Sequence, residues 1–265
     1  MKMKLLLKIR YLGTRYAGYQ VQPNADTVQR QLNLAALRLF GYPCDIVGCS
    51  RTDSGVHALG FCAAVTRQGT DELRTDIPIG RIPLAFSAIL PQDIAVCDAR
   101  MVPGNFHPRY AVTGKEYVYR IFNCPVRDPF EEGRAWHMPR PLSDADLERM
   151  QQAAGAMVGR HDFSAFMAQG SKIVDPTRTV YRSEVTREGN LIRYRVCADG
   201  FLYNMVRIMA GTLAEVGEGK IDPADIPQIL SGRDRSRAGR TLPACGLYLV
   251  RVFYPEDPFG EGGML

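Results

Sequence analysis

Residues 51–58 read RTDSGVHA, and they separate two short segments that are typical of β-strands. The strand before this segment runs up to Cys49, and the strand after it covers Gly60 to Val65. Asp, Ser and Gly favour turns, because Asp and Ser side chains bond to nearby backbone groups and Gly adopts positive φ at little cost. The segment therefore predicts a strand-to-strand turn, in which Asp53 is either a turn former or a group that carries chemistry.

Helices and strands continue on both sides of this turn. Toward the N-terminus, residues 3–11 predict a half-buried strand, and a helix capped by Asp26 or Thr27 ends at Gly41. Toward the C-terminus, the predicted strands are Ile94–Ala99, Lys115–Phe122, Val180–Thr186, Leu191–Cys197 and Gly246–Phe253. The predicted helices there are Ile79–Ala88, one capped near Ser143, Asn204–Val216 and Pro223–Leu230.

The order of these elements lacks the regular strand–helix repeat of a doubly wound parallel sheet. It predicts an α+β protein whose antiparallel sheet carries helices mainly on one face. We divide the chain into an N-terminal lobe (1–105) that carries Asp53, a C-terminal lobe (106–254) and a flexible tail (255–265).

The composition is that of an ordinary folded protein. Of the 265 residues, 46% are hydrophobic and 23% are charged, which excludes disordered and fibrous chains. No apolar run reaches the roughly 20 residues of a membrane helix, and no signal-peptide cleavage site follows the first residues, so we expect a cytoplasmic protein. The seven cysteines and four histidines lack ligand spacing, so we expect no metal site.

The net charge of +5 favours a polyanionic partner. Arginines concentrate in the predicted loop from Arg233 to Arg240 and on the predicted strands between Arg178 and Arg195. These side chains form either a solvated positive surface or a set of contacts to the phosphates of a nucleic acid.

The RTDSGVHA segment and a series of segments around it resemble the tRNA pseudouridine synthase A (TruA) family. The matching segments occur in the family's order and extend from about residue 4 to residue 254: YAGYQ (16–20), TVQ (27–29), LPQDIAV (90–96), FHPRYA (106–111), KEYVY (115–119), HDFSAF (161–166), GFLYNMVR (200–207) and PACGLYL (243–249). One departure is Pro108-Arg109-Tyr110, where the family pattern often has Ala-Arg-Phe. The length of this series makes chance similarity untenable.

This resemblance implies an α+β pseudouridine synthase fold, with two lobes that share a central antiparallel sheet flanked by helices. It also implies an isomerase that needs no cofactor, acts as a homodimer and converts uridine to pseudouridine at positions 38, 39 and 40 of the tRNA anticodon stem-loop. The rival hypotheses are an RNA-binding module without catalysis and a glycosidase, which would need a second acid. Glu116 and Asp199 are the available candidates for that acid.

The resemblance assigns the catalytic carboxylate to Asp53, which would act either as a nucleophile at C1′ of the ribose or as a base at C2′. It assigns to Arg207 the guanidinium that keeps this carboxylate charged against desolvation; from the residues alone, Arg207 is an Arg on the solvent face of a helix. Arg51 is either a cation that helps to extrude the target base or an ion-pair partner of Asp53 in the turn.

The resemblance also nominates Tyr117, Arg109 and Leu247 as substrate-binding residues. The Tyr117 ring would stack on uracil and its phenol could approach the C5 proton, although its alternation with Tyr119 also fits plain core. Leu247 would pack beneath the site, or it is simply core. We interpret His57 as a hydrogen-bonding structural group, because no second metal ligand lies near it in the sequence.

Overall fold

The computed structural model describes residues 2–170 and 173–260, which fall into two compact units. Of the described residues, the first unit comprises 2–114 and 249–260, and the second comprises 115–170 and 173–248. The division at residues 105 and 106 stays a prediction. Within the predicted tail, Asp257 forms an ion pair with Arg251 at 3.4 Å, and the Phe259 ring centre lies 5.9 Å from the ammonium of Lys8. Residues 261–265 of that tail lie outside the described residues.

Strands and helices alternate irregularly along the chain. The strands are β1 (Met3–Tyr11), β2 (Cys44–Gly48), β3 (His57–Arg67), β4 (Ile94–Pro103), β5 (Gly114–Asn123), β6 (Trp136–Met138), β7 (Gly159–Asp162), β8 (Thr177–Glu188), β9 (Leu191–Ala198) and β10 (Leu247–Phe253). The α-helices are α1 (Val28–Phe40), α2 (Ile82–Ser87), α3 (Asp144–Gly155), α4 (Met205–Gly217) and α5 (Ile226–Gly232). This mixture confirms the predicted α+β class.

In the first unit, the strand order is β4-β1-β3-β10, and β2 also pairs with β3. The β1–β3, β1–β4 and β2–β3 pairs are antiparallel. In β1, one face is buried through Leu5, Leu7, Ile9 and Tyr11, while Lys4, Lys8 and Arg10 of the other face are half-buried or exposed. The predicted half-buried strand is therefore confirmed except at Leu6, which is buried on that second face. Thr27 caps α1 by accepting the N–H of Arg30, and Gly41 ends the helix at a φ of 74°.

In the second unit, the strands follow the order β5-β9-β8-β7 in antiparallel pairs. The short strand β6 pairs with β5 in parallel, which departs from the predicted antiparallel arrangement. Ser143 begins α3 with a capping box that involves Asp146. Helix α4 is buried along most of its length. In the described part of the chain, every helix is too short or too polar to cross a lipid bilayer.

Candidate active site

The 51–58 segment forms the predicted turn between β2 and β3. The Asp53 carbonyl accepts the N–H of Val56 at 3.2 Å, and Gly55 adopts a φ of 79°. A positive φ strains residues with a Cβ, so glycine suits this corner. The Asp53 side chain is half-buried, whereas Arg51 is exposed. The turn thus presents one carboxylate in a partly desolvated setting.

The segment from Tyr11 to Tyr19 holds this turn in place. The Tyr11 hydroxyl and Thr52 Oγ1 are 2.9 Å apart in a buried hydrogen bond, and the N–H of Tyr19 donates to the Thr52 carbonyl at 3.2 Å. The Tyr16 carbonyl accepts the N–H of Gly55 at 3.3 Å and the hydroxyl of Ser54 at 3.2 Å. Bonds on both sides of Asp53 therefore fix its backbone before any substrate binds.

Two glycines allow this close approach of backbones. A Cβ at Gly18, whose φ is 87°, would lie 2.5 Å from the Thr52 carbonyl oxygen. A Cβ at Gly13 would lie 2.0 Å from the Val56 carbonyl oxygen. The Gly13 N–H donates to Nδ1 of the fully buried His57 at 2.9 Å. The prediction that His57 is a structural hydrogen-bonding group is confirmed.

Arg51 and Arg109 are both exposed in the first unit. Within the residues that the structure describes, Arg51 has no ion-pair partner within 4 Å, so its interpretation as the partner of Asp53 in the turn gains no support. Arg109 follows β4 in a loop, where its N–H donates to His107 Nδ1 at 3.2 Å. Its guanidinium is near enough to Tyr19 to oppose the rise in the Tyr19 pKa that burial and Cys49 cause.

In the second unit, β5 carries Tyr117 and Tyr119 on one face. The Tyr117 ring is 7% exposed and meets the Phe201 ring edge-on, with ring centres 5.0 Å apart. Tyr119 is fully buried, and its hydroxyl donates to the Pro243 carbonyl at 2.7 Å. Tyr117 therefore packs against an aromatic ring, whereas Tyr119 anchors the loop before β10.

Arg207 lies in the first turn of α4, where two hydrogen bonds orient its guanidinium. Its Nε donates to the Leu242 carbonyl and its NH1 group donates to Asn204 Oδ1, each at 2.7 Å. Its charge opposes the rise in the Tyr119 pKa that burial and Cys245 cause. The half-buried side chain is thus not a solvated arginine on an open helix face. The hydrogen bonds to Leu242 and Asn204 therefore fix the orientation of the Arg207 guanidinium.

Leu247 is the first residue of β10, and it is 7% exposed. The preceding Gly246 lies so close to β5 that a Cβ there would be 2.6 Å from the Tyr119 ring. Leu247 therefore follows a tightly packed corner that Arg207 and Tyr119 both contact through Leu242 and Pro243. Within the second unit, Arg207 and the start of β10 therefore lie close together.

Both candidates for a second acid are occupied by structural contacts. The Glu116 carboxylate, 8% exposed as a residue, pairs with Arg195 at 2.8 Å. Asp199 is exposed, and its Oδ1 accepts the N–H of Thr179 at 3.0 Å. A carboxylate held in this way is poorly placed to protonate a leaving group or to activate water. These contacts weaken the glycosidase hypothesis.

Several guanidinium groups of the arginine-rich loop are held by contacts within the protein. Arg235 donates to the carbonyls of Ala238 and Gly239 and to the hydroxyl of Thr241. Arg233 pairs with Asp162 at 2.9 Å and Arg240 pairs with Glu218 at 3.1 Å. The carboxylates of these pairs are only 22% and 11% exposed, so the two arginines are held by partly buried partners.

Sequence reasoning assigned no role to Asp93, which supports the segment that holds the 51–58 turn. Its carbonyl accepts the N–H of Leu12 at 2.9 Å, and its Oδ1 accepts the Tyr16 hydroxyl at 2.5 Å. Burial and this bond raise the pKa of Tyr16. The signal was present in the sequence, because Tyr16 and Asp93 both lie in the segments that match the family.

Comparisons with known proteins cover nearly the whole chain. A family model described as tRNA pseudouridine synthase matches residues 153–255. The tRNA pseudouridine synthase A of Ruminiclostridium cellulolyticum is 44% identical over 252 residues, which are 95% of this chain and 99% of that protein. The same enzyme of Acetivibrio thermocellus is 45% identical over 249 residues, or 94% and 98% of the two chains. That of an Exiguobacterium species is 41% identical over 253 residues, or 96% and 98%.

Similarity at this level over nearly the full length of both chains defines the class of protein as the pseudouridine synthases, which are isomerases. Within that class, the chain belongs to the tRNA pseudouridine synthase A family. A chain in the crystal structure of a Cbf5-Nop10-Gar1 complex also matches 94% of this chain and 50% of its own length, at 14% identity and a TM-score of 0.38. That likeness is too weak to contribute to the assignment.

Proposed function

We propose that this protein converts uridine to pseudouridine at positions 38, 39 and 40 of the tRNA anticodon stem-loop, with Asp53 as the catalytic carboxylate. The N1–C1′ bond of the uridine breaks and a C5–C1′ bond forms, while C5 loses its hydrogen and N1 gains one. Atoms and electrons balance within the nucleotide, so the reaction requires no cofactor. The choice of positions comes from the family resemblance.

The observation that carries this proposal is the half-buried carboxylate of Asp53 on a turn that is fixed on both sides. Positive charge builds on C1′ as the glycosidic bond breaks, so an ionised carboxylate stabilises that step. A fixed backbone reduces the reorganisation needed to reach the transition state. The carboxylate either attacks C1′ or removes the proton at C2′.

Arg207 supplies, in this proposal, the guanidinium that keeps Asp53 ionised as water leaves the site. An opposite charge within about 4–6 Å favours the charged form of a carboxylate. The support is the pair of hydrogen bonds to Leu242 and Asn204, which orient the guanidinium in advance. Lysine has no planar fork and could not make both bonds.

The other predicted residues receive binding roles. Tyr117 stacks on the uracil and its phenol faces the C5 proton, while Leu247 packs beneath the base. Arg51 and Arg109 are exposed cations of the first unit, so they suit contacts with the displaced phosphate and the strand next to the extruded base. We assign no catalytic role to Glu116, because its carboxylate pairs with Arg195.

The test is to incubate unmodified tRNA with purified wild-type protein and with Asp53→Asn, and to measure both pseudouridine and tRNA affinity. We expect Asp53→Asn to lower turnover by at least about 10³-fold, as loss of a catalytic group commonly does, with little change in Kd. The matched control is Asp45→Asn, the same substitution at an exposed aspartate of β2, which should keep full turnover.

Arg207→Lys belongs in the same experiment, together with a thermal melt. A lower turnover with a melting temperature close to that of the wild type supports the electrostatic role. Full turnover of Asp53→Asn would contradict the assignment of the carboxylate. No pseudouridine from the wild type on any tRNA tried would instead favour an RNA-binding module without catalysis.

We further propose that the protein works in the cytoplasm as a homodimer. The family resemblance supports both proposals. The cytoplasmic location is also supported by the tRNA substrate, which is found in the cytoplasm. Cell fractionation with an antibody against the protein tests the first statement.

A further inference from the structure

Asp93, the residue immediately before β4, contacts the 11–19 segment through both its backbone and its side chain. Its carbonyl oxygen accepts the N–H of Leu12 at 2.9 Å, and its Oδ1 accepts the Tyr16 hydroxyl at 2.5 Å. Its Oδ2 lies 3.4 Å from NH1 of Arg15. The Asp93 side chain is 13% exposed and Tyr16 is 3% exposed, so the carboxylate and the phenol meet in a nearly closed environment.

The same segment contacts the 51–58 turn with its backbone. The Tyr16 carbonyl accepts the N–H of Gly55 at 3.3 Å and the hydroxyl of Ser54 at 3.2 Å. The Tyr16 N–H donates to the Gly13 carbonyl at 2.9 Å and closes a single 3₁₀ turn. One residue is thus held by its side chain at the start of β4 and holds the turn by its carbonyl. A movement of the Tyr16 ring is therefore passed to the backbone beside the proposed catalytic carboxylate.

Stability alone does not account for a carboxylate at this position. Taking a carboxylate out of water is costly unless its partners compensate. Oδ2 of Asp93 is buried without a hydrogen bond to any residue that the structure describes, and the Arg15 side chain near it is 76% exposed. Exposed ion-pair partners contribute little, and a well-packed apolar side chain often stabilises such a site as much. A carboxylate adds direction instead, because its hydrogen bonds are short and strong and fix the donor.

We propose that Asp93 is a positioning residue for the reaction at Asp53. Asp93 fixes the ring of Tyr16, and the Tyr16 carbonyl fixes the backbone of Gly55 and Ser54, so that the Asp53 carboxylate meets the ribose in a reactive geometry. This inference rests on the proposed function and deepens it by naming a residue that acts on the site through another. Misplacement of a catalytic group by about 1 Å lowers a rate by about 10²-fold, so small displacements of the turn are measurable.

The test compares Tyr16→Phe and Asp93→Ala with the wild type, using unmodified tRNA in excess. Tyr42→Phe is the matched control, because the Tyr42 hydroxyl donates at 2.5 Å to the Arg74 carbonyl in the same unit, rather than to Asp93. We expect the two test variants to lower the single-turnover rate by about 10- to 100-fold with Kd for tRNA unchanged. Tyr42→Phe should react at the wild-type rate. Thermal melts set an assay temperature at which every variant is folded.

Asp93→Asn separates positioning from a purely structural role. Its amide oxygen can still accept the Tyr16 hydroxyl, so most of the wild-type rate should remain. Its NH₂ group would take the place of Oδ2, which is buried without a hydrogen bond in the described part of the chain, so the melting temperature should fall. In a purely structural role, the rate would follow the stability. The double variant of Tyr16→Phe and Asp93→Ala should be no slower than the slower single variant, because one hydrogen bond is lost in each.

Hydrogen exchange supplies a readout that does not depend on turnover. The Gly55 N–H is bonded to the Tyr16 carbonyl, so the peptide that contains residues 51–58 should exchange faster in Tyr16→Phe and Asp93→Ala than in the wild type or Tyr42→Phe. Unchanged exchange, a wild-type rate in Tyr16→Phe or equal losses in Asp93→Asn and Asp93→Ala would each overturn the proposal. Absence of pseudouridine with the wild-type protein would instead count against the proposed function, and the exchange rates would still decide whether Asp93 fixes the turn.

Discussion

Two buried tyrosine hydroxyls differ in whether they find a hydrogen-bond partner. Within the described residues, the Tyr19 hydroxyl is buried without one, in a packing site against Phe61, where the ring centres are 4.3 Å apart. The Tyr119 hydroxyl instead donates to the Pro243 carbonyl at 2.7 Å. A buried polar group without a partner costs about 1–3 kcal/mol, because it has lost its hydrogen bonds to water.

The same substitution should therefore have opposite effects at the two sites. We expect Tyr19→Phe to raise the free energy of unfolding by about 1 kcal/mol and Tyr119→Phe to lower it by a similar amount. Urea denaturation of the two variants and the wild type measures both changes. Destabilisation by Tyr19→Phe would show that its hydroxyl is satisfied in solution.

At the scale of an element, the packing of the 11–19 segment against the 51–58 turn depends on Gly18. Its φ is 87°, and a Cβ there would meet the Thr52 carbonyl at 2.5 Å. Gly69 offers a matched control in the same unit, because its φ is 73° and a Cβ there would meet nothing within 4 Å. Comparing alanine substitutions at Gly18 and Gly69 therefore separates the effect of backbone strain from the effect of displacing the turn.

We expect Gly69→Ala to cost about 1–2 kcal/mol of stability, the strain of a positive φ, with turnover unchanged. Gly18→Ala adds a collision with backbone next to Asp53, and a displacement near 1 Å lowers turnover by about 10²-fold. Pseudouridine formation under saturating tRNA, together with thermal melts, distinguishes these effects. Equal turnover in the two variants would show that the turn tolerates the shift.

The sequence predicted most of the long elements but not β6 and β7. Helix α1 was predictable from its apolar spacing, Thr27 and Gly41, which are local signals. Strands β6 and β7 span three and four residues, too few for a periodic pattern. Their pairing with β5 and β8 comes from tertiary contacts, which a local pattern cannot reveal.

The candidate site was predictable only in part. A turn at Asp53 follows from local residue types, and the family segments identify it as the carboxylate to test. The bond between Tyr11 and Thr52 joins residues 41 positions apart, and the bond between Tyr16 and Asp93 spans 77 positions. No spacing in the sequence predicts such long-range pairs, so the hydrogen-bond partners become visible only in the folded chain.

At the scale of the whole molecule, the proposed homodimer can be tested by its mass in solution. We expect light scattering at micromolar concentration to give twice the monomer mass of 29.5 kDa. The physical basis would be a closed two-fold interface, the commonest arrangement of soluble oligomers. A fully active monomer at the same concentration would contradict the proposal.

The last strand, β10, is synthesised long after the rest of the first unit's sheet. Residues 249–253 of β10 lie in the first unit, where a Cβ on Gly60 would come within 2.3 Å of the Val250 carbonyl. During translation, the N-terminal 114 residues leave the ribosome early, yet their sheet lacks this strand until the C-terminal segment has been synthesised. The unit that carries Asp53 is therefore begun first and completed last, so premature termination before residue 249 leaves it with an unpaired edge.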